Sequence, residues 1–356
     1  MTAVHIADTA GTEHGGPVVR SRQHRVLRWT VTLGAIALEV GLIAPLLTEH
    51  APAFAAIQWG WVAAAVGAET ASVITIGAVY RPLLRAGGVS VTRRRSLATG
   101  ATASAITAMV PAGPVASSAY LYRQFRRAGS TGALAGWAVT ATTGLGLIAF
   151  GVVTGTAAAL GNDYSVGAAI RTGALGLLAT VVLIGLSAVL TRHARPILRV
   201  FSETVGRVVH RGADKAGCDE WLHRVVAQLS AIRPGLRQWS LAFMLAVLTW
   251  ASDLACFVLN LHAVGIIRLD IGAAALAYGA GLATTSVNVM PAGIGTVEAG
   301  MLFGLTHAGV AASTAVAGIL TYRLVAYVLV GITGWAIWVA VRSRSSSIAD
   351  LQPITS

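Results

Sequence analysis

Long apolar runs decide what this chain can fold into. Six segments, residues 27–47, 57–80, 133–158, 167–191, 239–263 and 312–341, are each long enough to cross a bilayer as a helix, which takes ~20 apolar residues. Inside hydrocarbon the backbone must satisfy its own hydrogen bonds, so such runs read as helices. Tryptophans near the ends of several runs (Trp29, Trp59, Trp61, Trp239 and Trp338) fit interfacial belts. Only 11% of residues are charged while 55% are apolar, too little charge to cover a soluble surface of this size.

The net charge of +12 raises nucleic acid as a partner. That reading fails because the arginines sit in short loops beside apolar runs, where they set membrane orientation. Cys218 and Cys256 are far apart and suggest neither a disulfide framework nor a metal site. Zincin, P-loop and Cys/His metal spacings are absent, so no cofactor, metal or catalytic residue is expected.

Two further apolar regions are interrupted. Region 97–127 is broken at Pro111-Ala112-Gly113-Pro114, and region 271–309 at Pro291-Ala292-Gly293-Ile294-Gly295. Proline removes a backbone donor and glycine favours non-helical backbone, so each region predicts two half-helices. Ser117 and Ser118 follow the first break, where they are expected to cap the second half-helix. Charge then places the first hairpin. If it crossed the membrane once, the loop 192–237 with its nine basic residues would lie outside. If it enters and returns on one side, only Arg171 and Arg268 lie outside, and Arg323 is intramembrane. Both termini are therefore expected in the cytoplasm of a cell membrane protein, with the second hairpin entering from outside.

The expected fold class is an all-α polytopic membrane protein: an inverted repeat of six spanning helices and two re-entrant broken-helix hairpins. The halves are residues 26–160 and 165–342 of a 26–345 membrane domain. Residues 1–25 and 346–356 are read as cytoplasmic tails, the first disordered. Loop 192–237 carries Ile197, Phe201, Val205 and Val208 at helical spacing and reads as a basic amphipathic helix. Ala51-Pro52-Ala53 offers a signal-peptide alternative, disfavoured because the preceding run is long and carries Glu39. The repeat rests on Ala108-Met109-Val110-Pro111-Ala112-Gly113 set against Asn288-Val289-Met290-Pro291-Ala292-Gly293, and on acidic residues, Glu69 and Asp253, preceding each break. Chance recurrence in an Ala/Gly-rich chain is the plainer alternative; the charge pattern favours the repeat, an architecture of transporters.

The second break continues as Gly295-Thr296-Val297-Glu298. This resembles the Pro-Gly-Gly-Leu-Gly-x-x-Glu signature of the flippase-like transmembrane region of lysylphosphatidylglycerol synthases and their stand-alone relatives. The arginines after the first hairpin (Arg123, Arg126, Arg127) and Tyr322-Arg323-Leu324 in the last span are similar too. One departure is Ala292, where the family usually has glycine. The resemblance implies translocation of an anionic or aminoacylated phospholipid, or a polyprenyl-linked lipid, between leaflets. It implies no lysyl transfer, because the full synthases carry a soluble aminoacyl-transferase domain beyond the membrane part.

Ionisable residues inside a membrane cost ~2.5–3.5 kcal/mol each at a helix centre on insertion scales, so they mark candidate sites. Four stand out: Glu298, Arg323, Asp253 and Glu69. Arg323 and the half-helix N-termini at Pro111, Gly113, Ser118, Pro291, Gly293 and Gly295 would receive a lipid phosphate. The carboxylates would bind a cationic headgroup or carry a coupling proton. The plainer alternative pairs Arg323 with Glu298 or Asp253 to neutralise buried charge. Gly132/Gly136, Gly151/Gly155 and Gly300/Gly304 have the spacing of close helix packing. Partners expected are membrane phospholipids; a separately encoded synthase or glycosyltransferase and a second copy of the chain are further candidates. Rival readings are a membrane-embedded transferase and a non-transporting scaffold.

Overall fold

A computed structural model describes residues 57–110, 112–161, 232, 234–283 and 295–349. The described residues contain helices and turns and no strand. In chain order they form α1 Trp59–Ala86, α2 Arg93–Met109, α3 Gly113–Arg127, α4 Gly132–Ala159, α5 Leu236–Ala263, α6 Ile271–Ala283, α7 Thr296–His307 and α8 Ala312–Arg323. A π-helical turn at Leu324–Leu329 then leads into α9, Val330–Ala349. The expected spans 27–47 and 167–191, the tail 1–25 and nearly all of loop 192–237 lie outside the described residues, as do Pro111, Pro291 and Gly293.

Four helical stretches are long and apolar enough to cross a membrane: α1, α4, α5 and Ala312–Ala340, which runs through the π turn. They match four of the segments read from hydropathy. Each of the first three has 28 residues, or about 42 Å at 1.5 Å per residue, ample for a ~30 Å core. By contrast α2, α3, α6 and α7 have 17, 15, 13 and 12 residues. All four are shorter than about 26 Å, too short to span alone.

These short helices fold back on each other in pairs. In the first pair, Ser117 Oγ on α3 donates to the Ala103 carbonyl on α2 at 3.1 Å. In the second, Gly300 and Gly304 on α7 sit against Ala280 and Ala277 on α6. Each pair is thus antiparallel. The first turn passes through Ala112, whose φ of 52° is the left-handed region that alanine adopts at a cost. Neither serine caps α3. Ala112 holds the cap position and offers no side-chain acceptor. Ser118 Oγ donates to the Pro114 carbonyl one turn back, 2.8 Å away. The hydroxyls instead satisfy carbonyls within and across the hairpin.

The centre of the molecule is the antiparallel pair α1 and α5. Gln58 N–H donates to Ala263 O at 3.0 Å, Trp61 meets His262 edge-on at 5.1 Å, and Thr75 Oγ1 lies 2.9 Å from Thr249 Oγ1. Both helices contribute to two cores. One, with Tyr80, Leu83, Phe125, Leu145 and Trp239, gathers the first hairpin and α4. The other, with Phe257, Tyr278, Met301, Leu305 and Tyr322, gathers the second hairpin and α8. Trp239 is therefore a core residue, 5% exposed and edge-on to Trp137, and not part of an interfacial belt.

Close approach uses glycine where helices cross. A Cβ on Gly100 of α2 would meet Gly77 of α1, and one on Gly334 of α9 would meet Ala101 and Ala105 of α2. Gly300 and Gly304 serve the expected packing role, but Gly136 and Gly151 have open space beside them. Spacing alone does not say which face of a helix meets a neighbour.

Candidate functional site

The site grows from the start of α7. Gly295 precedes it with φ of +89°, which favours glycine. Its N–H is accepted by Glu298 Oε2 at 2.7 Å, one turn into the helix. A carboxylate here also complements the partial positive charge of a helix N-terminus. The other carboxylate oxygen, Oε1, lies 2.8 Å from Arg323 Nε. The Arg323 side chain is only 3% exposed, whereas that of Glu298 is 26% exposed. The pair therefore has one open side, at the carboxylate.

Arg323 ends α8 where the backbone widens into the π turn. Such turns are rare and concentrate at functional places. The turn brings Tyr327 under the guanidinium, with Cζ 4.2 Å from the ring centroid, a cation–π contact that helps hold a buried cation.

The neighbouring residue, Tyr322, belongs to a second polar group. Its hydroxyl donates to Asp253 Oδ1 at 3.0 Å, and Tyr278 donates to Asp253 Oδ2 at 2.7 Å. Glu69 reaches the same place from α1, facing Asp253 and the Cys256 thiol. Asn260 Nδ2 donates to the Cys256 carbonyl at 2.8 Å. The aromatic rings of Phe257, Tyr278 and Tyr322 surround these groups at centroid separations of 5.3–6.4 Å.

Four of the residues singled out from sequence thus meet as two pairs, Glu298 with Arg323 and Glu69 with Asp253, joined through the adjacent Tyr322 and Arg323. Gly295 is part of the first pair. Gly113 and Ser118 make their contacts within the first hairpin: Gly113 against Thr107, Ser118 with Pro114. Of the two pairings weighed for Arg323, Glu298 is the partner, and Asp253 takes tyrosines instead. Sequence reading missed Tyr278, Tyr327 and Cys256; a hydroxyl or thiol inside an apolar helix carries weak signal beside a charge. Chemically, this arrangement can exchange partners. A guanidinium and helix N–H held by a carboxylate are the donors that a phosphate also seeks.

The sequence model of the family described as lysylphosphatidylglycerol synthase TM region matches residues 31–334. The chain belongs to that family. It is therefore a membrane domain of the lysylphosphatidylglycerol synthase family, and its long apolar helices are membrane spans. A comparison with curated proteins finds no match. The matched stretch includes every site residue named above, from Glu69 to Tyr327.

Proposed function

We propose that this membrane domain moves an anionic or aminoacylated phospholipid, or a polyprenyl-linked lipid, between leaflets. The observation that carries the reading is the Arg323–Glu298 pair at the head of α7. Glu298 occupies the place a phosphate would take, and its exposed side lets a phosphate compete for the same donors. Asp253 and Glu69, one layer deeper, supply carboxyls for a cationic headgroup or a proton.

The inverted-repeat reading has support in the packing. α1 and α5 are the first described helices of the two halves, and they run antiparallel. Each is followed by a pair of short helices and then a long one. α6 packs on α4, and α2 packs on the π turn and α9, so each hairpin leans on the other half. The short antiparallel pairs then act as hairpins that enter and leave on one side of the membrane. Arg81 and Arg85 end α1, Arg93, Arg94 and Arg95 start α2, and Arg123, Arg126 and Arg127 end α3. The start of α5 joins them at the same end of the bundle. By the positive-inside tendency that end is cytoplasmic in the cell membrane, with both chain termini on that side.

Reconstitution tests the proposal. Liposomes carrying the full chain and a labelled anionic or polyprenyl lipid should show leaflet exchange above protein-free liposomes. Covalent modification of the lipid without exchange would replace this reading with the transferase one.

A further inference from the structure

Beside the polar site, a groove of about 580 Å³ runs between α1, α2 and the start of α9. Its walls are almost wholly apolar, with Ala98 and Ala101 from α2 and Leu329 and Thr333 from the last span. Nearby Ile74, Ile332 and Ile337 are exposed, so the groove opens sideways from the bundle. Glu69 touches it only at the floor, 7% exposed and turned to Asp253 and Cys256. Arg94, exposed, borders the groove at the end where the arginines gather.

The groove therefore has the polarity of an amphiphile: one cation at the basic end, aliphatic walls beyond it. From Arg94 to Ala101, α2 rises about 10 Å. A single hydrocarbon chain fits along that length between the aliphatic walls. The orientation is also set by charge, because a guanidinium at a membrane surface pairs with phosphate.

We propose that this groove seats one acyl chain of an anionic phospholipid whose phosphate is held by Arg94. The site is distinct from the Arg323–Glu298 pair and adds a lateral berth to the lipid-handling reading on which it rests. Binding here is measured apart from leaflet exchange, so either can fail alone.

The test uses the full chain in lipid nanodiscs with phosphatidylglycerol bearing a photoactivatable acyl chain. Cross-linked peptides should map to residues 66–74, 94–101 and 329–337. Unlabelled phosphatidylglycerol should compete better than phosphatidylcholine. Arg94→Gln should weaken that competition about fivefold, equivalent to about 1 kcal/mol. Ala98→Trp, which fills the groove, should remove the adducts while circular dichroism stays helical. Adducts spread evenly over other exposed helix faces would overturn the proposal. So would adducts insensitive to both variants, or equal competition by the two lipids.

Discussion

Arg323 Nε lies 2.8 Å from Glu298 Oε1, while the same carboxylate caps α7 through Gly295. One side chain thereby anchors a helix start and neutralises a buried cation. The two halves of the pair are unequal, because Arg323 is enclosed and Glu298 is partly open. Glu298→Gln keeps a cap acceptor but takes the carboxylate from a buried guanidinium. It should lower thermal stability by up to about 3 kcal/mol, the low end for breaking a buried pair. Arg323→Met should cost less, and the double variant should recover part of the loss. Unfolding of detergent-solubilised protein measures all three.

Asp253 takes a tyrosine hydroxyl on each oxygen. Tyr278→Phe and Tyr322→Phe should each destabilise by about 1–3 kcal/mol, the cost of leaving a buried acceptor short of a donor. The two losses should be non-additive in a double-mutant cycle because they share one carboxylate. Strict additivity would mean that the tyrosines do not act on a common group.

The turn of the first hairpin should respond oppositely at adjacent positions. Ala112 is left-handed, so Ala112→Gly should stabilise by about 1 kcal/mol. A Cβ at Gly113 would run into the Thr107 carbonyl, so Gly113→Ala should destabilise the hairpin. Thermal melts of the two variants compare them directly.

Helix crossings offer a matched control. Gly304→Val should prise α7 from Ala277 of α6, whereas Gly136→Ala and Gly151→Ala should be near neutral. Expression and monodispersity in detergent separate these outcomes.

Much of this organisation is written in the sequence, but unevenly. The four described spans follow from hydropathy, the first break falls at Ala112 and Gly113 inside its proline–glycine interruption, and α7 starts directly after Gly295. What pairs with what does not. Glu69 and Asp253 are distant in sequence and meet only because α1 and α5 run antiparallel in register. The π turn has no proline or glycine to announce it. Tyr278 and Tyr322 look like ordinary apolar-helix tyrosines until Asp253 is placed between them. Ser118 looks like a helix cap, but the chain enters α3 through a left-handed Ala112, so its hydroxyl turns back to Pro114.

The antiparallel core is open to direct chemical test. Thr75→Cys with Thr249→Cys should form a disulfide under mild oxidation, since the native hydroxyls are 2.9 Å apart. Failure to cross-link in a folded double variant would contradict the α1–α5 register.

In the proposed activity Arg323 and Glu298 together handle a lipid phosphate. The most direct measurement is the initial rate of labelled-lipid leaflet exchange in liposomes holding equal amounts of folded wild type, Arg323→Ala and Glu298→Gln. Exchange is expected in the wild type, and its loss in both variants. Wild-type rates in both variants, with folding intact, would contradict it.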